Sequence, residues 1–324
     1  MVRGTKETQS LLSWREMPGG VWALGFVSLF MDISSEMIHA LLPLYLVTVL
    51  GTSLLTVGVI EGIAEATTAI MKIFSGALSD WLGQRKLLAV VGYGLAAFTK
   101  PVFALATSIL WIVTARFVDR VGKGIRGAPR DALIADLTPV EIRGAAFGLR
   151  QSLDTVGAAI GPLLAIAFMA LTASNFAAVF WIAVIPGFIS LTLIVLCVHE
   201  PDRLAAKSVR SPLSPVELQR LGLAYWLIVV LATVFALARF SEAFLLLRAQ
   251  SVGLSLVLVP SVMLVMNVVY ALAAWPAGVL SDKLGRYVVL ISGFVDRYWN
   301  GTVGLAHGND ARAACEPRCG HGTA

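Results

Sequence analysis

The sequence predicts an all-α fold, a polytopic membrane helix bundle with about eight transmembrane helices and the stub of a ninth. Three observations predict it. Of 324 residues, 57% are hydrophobic and only 14% are charged, where a soluble domain averages about 25% charged. Eight runs are apolar and long enough to cross a bilayer, which takes about 20 residues: 20–50, 54–78, 87–107, 109–128, 144–171, 175–198, 221–250 and 254–280. Basic residues gather in every second connection between them.

The elements follow in order. Residues 1–20 are polar and carry Arg3, Lys6 and Arg15, and the run behind them is too long for a signal-peptide core. Arg85 and Lys86 follow the second run; Arg126, Arg130 and Arg143 surround the turn after the fourth; Arg203, Lys207, Arg210 and Arg220 follow the sixth; Lys283 and Arg286 follow the eighth. The other turns, "GTSLLT", "TS" and "TASN", carry none. Basic connections face the cytoplasm, so the N-terminus is expected there, and the chain is expected to be integral to the lipid bilayer. Residues 138–141 and 214–217 both read S/T-P-V-E, a capping box with Pro at the first helical position. The second copy lies in the longest interior linker, 199–220, which divides a six-helix half, 1–198, from a partial second half, 221–294. A ninth run starts at Tyr287 and fails after Phe294. Residues 295–324 are polar and read as a disordered tail unrelated to the rest, as a truncation or a frameshift would leave.

Several chemistries find no support. The net charge of +5 is spread between apolar runs, so nucleic acid is not an expected partner. "GKGIRG" at 122–127 spells a dinucleotide fingerprint, but it continues a helix with no strand before it, and small residues for helix packing explain it better. Cys197 reads as core packing. Cys315, Cys319 and His321 lack a clear fourth metal ligand. No HExxH, GxSxG or CxxC spacing occurs. No enzyme activity, metal or cofactor is expected.

One motif occurs twice. "GALSDWLGQRK" begins at Gly76, after the second run, and "GVLSDKLGR" begins at Gly278, after the eighth. Both resemble the G-x-L-[SA]-D-x-x-G-[RK]-[RK] loop of the major facilitator superfamily, which lies between helices two and three with a weaker copy between eight and nine. The resemblance covers residues 20 to about 294. It implies a full plan of two six-helix halves, twelve helices in all, of which this chain carries part. It also implies a gate at the cytoplasmic face, formed by Gly76, Asp80, Gly83, Arg85 and Lys86 in one loop and by Gly278, Asp282, Gly285 and Arg286 in the other. Gly157, Gly161 and Pro162 match the start of the superfamily's fifth-helix G-x-x-x-G-P-x-x-G-G motif, with Ala165 and Ile166 where glycines end it; that partial match implies export. Arg116, Gly122 and Gly124 resemble its fourth-helix pattern. Residues 32–46 resemble uncharacterised bacterial members, which implies a bacterial inner membrane.

Apart from any family, the spans hold many charges. Each costs about 2.5–3.5 kcal/mol at mid-membrane on insertion scales. Acids and bases occur in equal number there, which suggests pairing around a polar interior. Ser28, Asp32, Ser35, Glu36 and His39 share one helical face, as do Glu61, Glu65, Thr68 and Lys72, and Arg116, Asp119, Arg120 and Lys123. Asp32 and Glu65 fall about 15 Å from their helix ends, near the midplane. Asp32, Glu36, Glu61 and Glu65 are therefore the proton-coupling candidates. His39, Arg116, Asp119, Asp154, Arg239 and Glu242 are the candidates for lining a substrate cavity. The expected function is secondary transport of a small solute, proton-coupled and directed outward, with a small-molecule substrate and protons as partners. A non-transporting membrane fragment or a helix-bundle partner subunit is the alternative.

Overall fold

Local signals in the sequence set the helix ends. The structure, a computed structural model of the 324-residue chain, describes residues 17–200, 241–270 and the single positions 222, 227 and 272. Every element among them is helical. Helix α1 spans Gly19–His39 and α2 spans Leu42–Thr48. Together they make one 30-residue span, Gly19–Thr48. The break between them has a cause: Pro43 has no N–H to give the carbonyl of His39 four residues back. Helix α3, Leu54–Leu82, starts at Ser53, whose Oγ accepts from the Thr56 N–H at 3.1 Å. It stops at Gly83, which sits in the left-handed region with φ 68°, as C-terminal caps favour.

Helix α4 spans Arg85–Leu105, α5 spans Ile109–Leu137, α6 spans Arg143–Leu171 and α7 spans Phe176–Cys197. Asn175 caps α7 by accepting from the Ala178 N–H at 3.1 Å. Helix α8, Glu242–Ser251, is the described end of the seventh apolar run, and α9, Ser261–Tyr270, lies within the eighth. Arg239, Gly278, Asp282, Gly285, Arg286, nearly all of the linker 199–220 and the tail from 295 lie outside the described residues. The chain divides into two units, Met1–Asn267 and Val268–Ala324; the following concerns the first.

Helix α5 packs between α3 and α4, α1 packs between α6 and α7, and α7 also packs on α4. The neighbours thus run α3–α5–α4–α7–α1–α6. Small residues make the close approaches. A Cβ on Gly122 would lie 2.7 Å from the Gly92 carbonyl oxygen, and one on Gly124 would lie 2.5 Å from the Met71 Cβ and 2.9 Å from the Thr68 carbonyl oxygen. The GKGIRG stretch is therefore a packing surface for α3 and α4. Gly157 and Gly161 serve α1 in the same way, against Leu29 and Asp32 and against Ile33 and Glu36. Pro162 leaves the Ala158 carbonyl without its intrahelical donor, and the Asn267 side chain donates to that oxygen at 2.9 Å. On the outer faces Ile73, Leu110 and Leu171 are exposed, an apolar surface that suits acyl chains.

Three expectations change. The fourth run was expected over 109–128, but α5 continues to Leu137. Among the described residues five spans, not including α5, are long and apolar enough to cross a membrane by composition; α5 carries Arg116, Asp119, Arg120, Lys123 and Arg126 in one 18-residue stretch. The capping box at 138–141 does not form. Residues Val140–Ile142 make a 3-10 turn with no side-chain cap, and the Thr138 hydroxyl donates back to the Ile134 carbonyl at 2.6 Å, which closes α5 instead. Cys197 is exposed rather than packed, because it lies at the last residue of α7.

Gly124→Val is expected to lower the melting temperature of the detergent-solubilised chain, since overpacking costs about 1–3 kcal/mol. Gly62→Ala should cost nothing, because a Cβ there meets nothing within 4 Å and Ala favours helix. Tryptophan fluorescence through a thermal ramp reads both.

Candidate functional site

The charged stripes of α1, α3 and α5 meet as a ladder inside the bundle. Its first rung, nearest the α1–α2 break, joins three helices. Glu61 on α3 accepts from Arg116 on α5 at 2.6 Å. Each is 3% exposed. His39 on α1 places Nε2 3.6 Å from the same Glu61 oxygen and Nδ1 3.7 Å from Glu36 Oε2. Such a rung repays desolvation only through close pairing. Glu61 and Arg116 both remain charged in that arrangement without facing lipid.

The second rung is centred on Lys100, 1% exposed. Its ammonium donates to Asp119 on α5 at 2.9 Å and to Ser35 on α1 at 3.1 Å. Sequence reading assigned Lys100 no role; it is the one base in α4 beyond the Arg85 and Lys86 of its first turn, and its partner Asp119 is buried at 5% exposure. Arg120 lies 3.5 Å from Glu65, but the Glu65 side chain is 64% exposed, so that pair is the looser one.

Below it, Asp32 stands against Gly157. It is partly buried and has no hydrogen bond or ion pair among the described residues. The charges that act on it most are Asp154, Lys123, Arg126 and Glu36. Asp154 forms an ion pair one turn along α6 with Arg150. The last rung runs Arg130–Ser28–Tyr93: Arg130 Nη1 donates to Ser28 Oγ at 2.9 Å, and Ser28 Oγ and Tyr93 OH lie 3.2 Å apart. The Arg126 guanidinium sits over the Tyr93 ring, 4.8 Å from its centroid. Arg126 and Arg130 read in sequence as turn residues. Their spacing from Arg116, Arg120 and Lys123, three or four residues each time, was the signal that they continue the same helical face. Glu242 begins α8 and forms no ion pair among the described residues.

A separate cluster lies where α3 meets α4. Arg85 is held by Asp136 at 2.5 Å, by Asp80 at 3.3 Å and by the Ala132 carbonyl at 2.9 Å. The Arg85 backbone N–H donates to Glu200 at 2.7 Å, and Lys86 donates to the Val195 carbonyl at 3.0 Å. So the loop "SDWLGQRK" is fixed to the ends of both α5 and α7. A negative side chain on the first turn of α4 and a positive one on the last turn of α7 both suit the helix dipoles. Gly76 packs on Ala128.

The model of the Major Facilitator Superfamily matches residues 24–295. The chain belongs to that superfamily. An uncharacterized MFS-type transporter of Methanocaldococcus jannaschii is 32% identical over 287 residues, 87% of this chain and 71% of its own length. An uncharacterized protein of Mycobacterium tuberculosis is 32% identical over 57% of this chain, which spans 44% of it. The multidrug resistance protein MdtH of Photorhabdus laumondii is 32% identical over 147 residues, 45% of this chain and 36% of its own. A bacterial homologue of the human lysosomal transporter Spinster, inward-facing and occupied, shares the fold with a TM-score of 0.62 at 19% identity, over 81% of this chain and 61% of its own. Membership of this superfamily makes the protein an integral membrane protein of a transporter family, which is not enzymatic. The loop at Asp80 and Arg85 and the ladder both lie within the matched residues.

The rungs make a testable asymmetry. Arg116→Gln leaves the buried Glu61 with only the looser His39 contact at 3.6 Å, and is expected to cost about 3–5 kcal/mol. The double variant Arg116→Gln, Glu61→Gln should recover most of that loss. Denaturant unfolding in mild detergent, arranged as a double-mutant cycle, checks both.

Proposed function

We propose that this superfamily member is a secondary active transporter of a small solute, coupled to protons. The observation that carries the reading is the ladder of buried charges on α1, α3, α4 and α5, set in a transporter family. A helix bundle that needed only stability would be served as well by apolar packing. Charges near the middle of membrane helices mark substrate and proton paths. Asp32 is the proton-coupling candidate that can take up a proton without breaking an ion pair among the described residues. Glu36, Glu61 and Glu65 would each exchange a partner on protonation.

The resemblance of residues 32–46 to bacterial members supports a bacterial inner membrane, and the basic residues in alternate connections support a cytoplasmic N-terminus. That places Asp80, Arg85 and Asp136 at the cytoplasmic face, where they act as one half of a gate. Residues 1–198 form the first half and 221–294 belong to the second, with 199–220 between them. The direction is outward; the relative named a multidrug resistance protein supports export. Mixed charges in the spans favour a charged or zwitterionic solute over a plain sugar.

Reconstitution of the chain into liposomes loaded with a pH-sensitive dye tests the reading. A panel of zwitterionic amino acids, ethidium and citrate is first screened by thermal shift, and the hits are added to the liposomes. At least one is expected to drive proton movement, and Asp32→Asn should reduce that movement at least about tenfold, as loss of a positioned proton-transfer group does. No solute-dependent proton movement with any probe would overturn proton coupling. Arg85→Ala should also slow movement while leaving the Lys100–Asp119 rung and the melting temperature nearly unchanged, because the two clusters share no residue; fluorescence unfolding checks the second half of that statement.

A further inference from the structure

His39 sits in an unusual chemical position. Both of its ring nitrogens face carboxylate oxygens, Nδ1 toward Glu36 at 3.7 Å and Nε2 toward Glu61 at 3.6 Å. A neutral imidazole carries one N–H and one lone pair. Only the doubly protonated ring can offer a hydrogen to both sides. The two sides belong to different helices. Glu36 is on α1 and Glu61 is on α3.

Those two helices are not among the main packing pairs of the bundle, although α2, which continues the span of α1, touches α3. Helix α1 rests on α6 and α7, and α3 rests on α5. His39–Glu61 is thus a direct polar bridge from α1 to α3, beside the links that α5 makes to α1 through Arg130–Ser28 and through Lys100. The ring is also the last residue of α1, next to the break imposed by Pro43. It therefore stands where the backbone path changes direction and the helix dipole is negative.

The charged neighbours are few and fixed. Helix α1 presents Glu36; α3 presents Glu61 and Glu65; α5 presents Arg116, Asp119, Arg120 and Lys123; α4 presents Lys100. Helix α6 meets Glu36 with Gly161, its charged residues Arg143, Arg150 and Asp154 lying further along, and α7 carries no charged residue. Tyr45 of α2 donates to the Ala106 carbonyl, and Glu242 and Arg248 of α8 form no ion pair among the described residues. Glu61 keeps Arg116 whether or not His39 is charged. Among the described residues Glu36 forms an ion pair with His39 alone.

We propose that His39 is a proton-operated clasp between α1 and α3, resting on the proton-coupled reading above. With a proton on each ring nitrogen the imidazolium bridges Glu36 and Glu61 and holds the two helices together. When one proton leaves to water, the ring retains the N–H that faces Glu36, which has no other ion pair among the described residues. The Nε2 lone pair then faces the Glu61 carboxylate, which Arg116 holds in place, and the bridge opens. His39 is a positioning residue here, not the carrier of the transported proton. It makes helix movement respond to pH two turns along α1 from Asp32.

The test uses the full chain in lipid with 15N-labelled histidine. His39→Gln identifies the His39 signals by their absence. Across pH 5–9 the ring is expected to change from two protonated nitrogens to one, and Glu36→Gln and Glu61→Gln are each expected to move that midpoint by about one pH unit, a tenfold change in proton affinity. His39→Arg, which keeps a permanent cation, should fold like the parent and flatten the pH profile of solute movement in liposomes. A ring in one protonation state throughout, or a midpoint indifferent to both Gln variants, overturns the clasp, and so does an unaltered pH profile in His39→Arg. The resonance arm does not need transport. If the parent chain moves no probe, the transport reading falls and the resonance arm alone decides the clasp.

Discussion

A charge inside a membrane is costly unless it is paired, and in this protein the most deeply buried pairs, Lys100–Asp119 and Arg116–Glu61, tie one helix to another. That constraint organises the first six helices. Lys100 cannot face lipid at a tolerable cost, so it takes Asp119 on α5 and Ser35 on α1 together. Arg116 and Glu61 do the same for α5 and α3. Arg130 reaches Ser28 and joins α5 to α1. Apolar packing between helices in lipid carries little driving force of its own, because acyl chains are as apolar as leucine. The polar contacts and the close glycine approaches therefore decide which faces meet.

The glycines and prolines make the ladder reachable. Gly122 and Gly124 let α5 approach α4 and α3 closely enough for short side chains such as Asp119 to reach across. Gly157 and Gly161 bring α6 against the Asp32 and Glu36 face of α1. Pro43 ends α1 at His39, and Pro162 frees a carbonyl that Asn267 then binds. Each irregularity lies next to a charged or hydrogen-bonding group. Regular helices with the same charges would hold them at greater distances.

Much of this was legible beforehand. The apolar runs placed the helices of residues 19–197 to within a few residues, except that α5 runs nine residues past its expected end. The reason is plain: hydropathy stops at the first cluster of charges, while a helix continues as long as neighbours can satisfy them. Arg126 and Arg130 were read as turn residues for that reason. The faces were legible too, since Asp32, Glu36 and His39 recur at helical spacing. Lys100 was not, because a single base on a helix gives no pattern until its partner on another helix is known. The box at Thr138 failed through competition, its hydroxyl preferring the Ile134 carbonyl one turn back to an N–H ahead.

Composition, periodicity and the loop motif determined by themselves that this is a membrane helix bundle of a transporter family, and which helix faces are polar. Those are properties of spacing along one chain. Only the tertiary structure decided the partners: Lys100 with Asp119, Glu61 with Arg116, and His39 between two carboxylates. Pairing depends on how six helices rotate and approach one another, and that is set by glycine contacts and buried charges acting together across residues far apart in sequence.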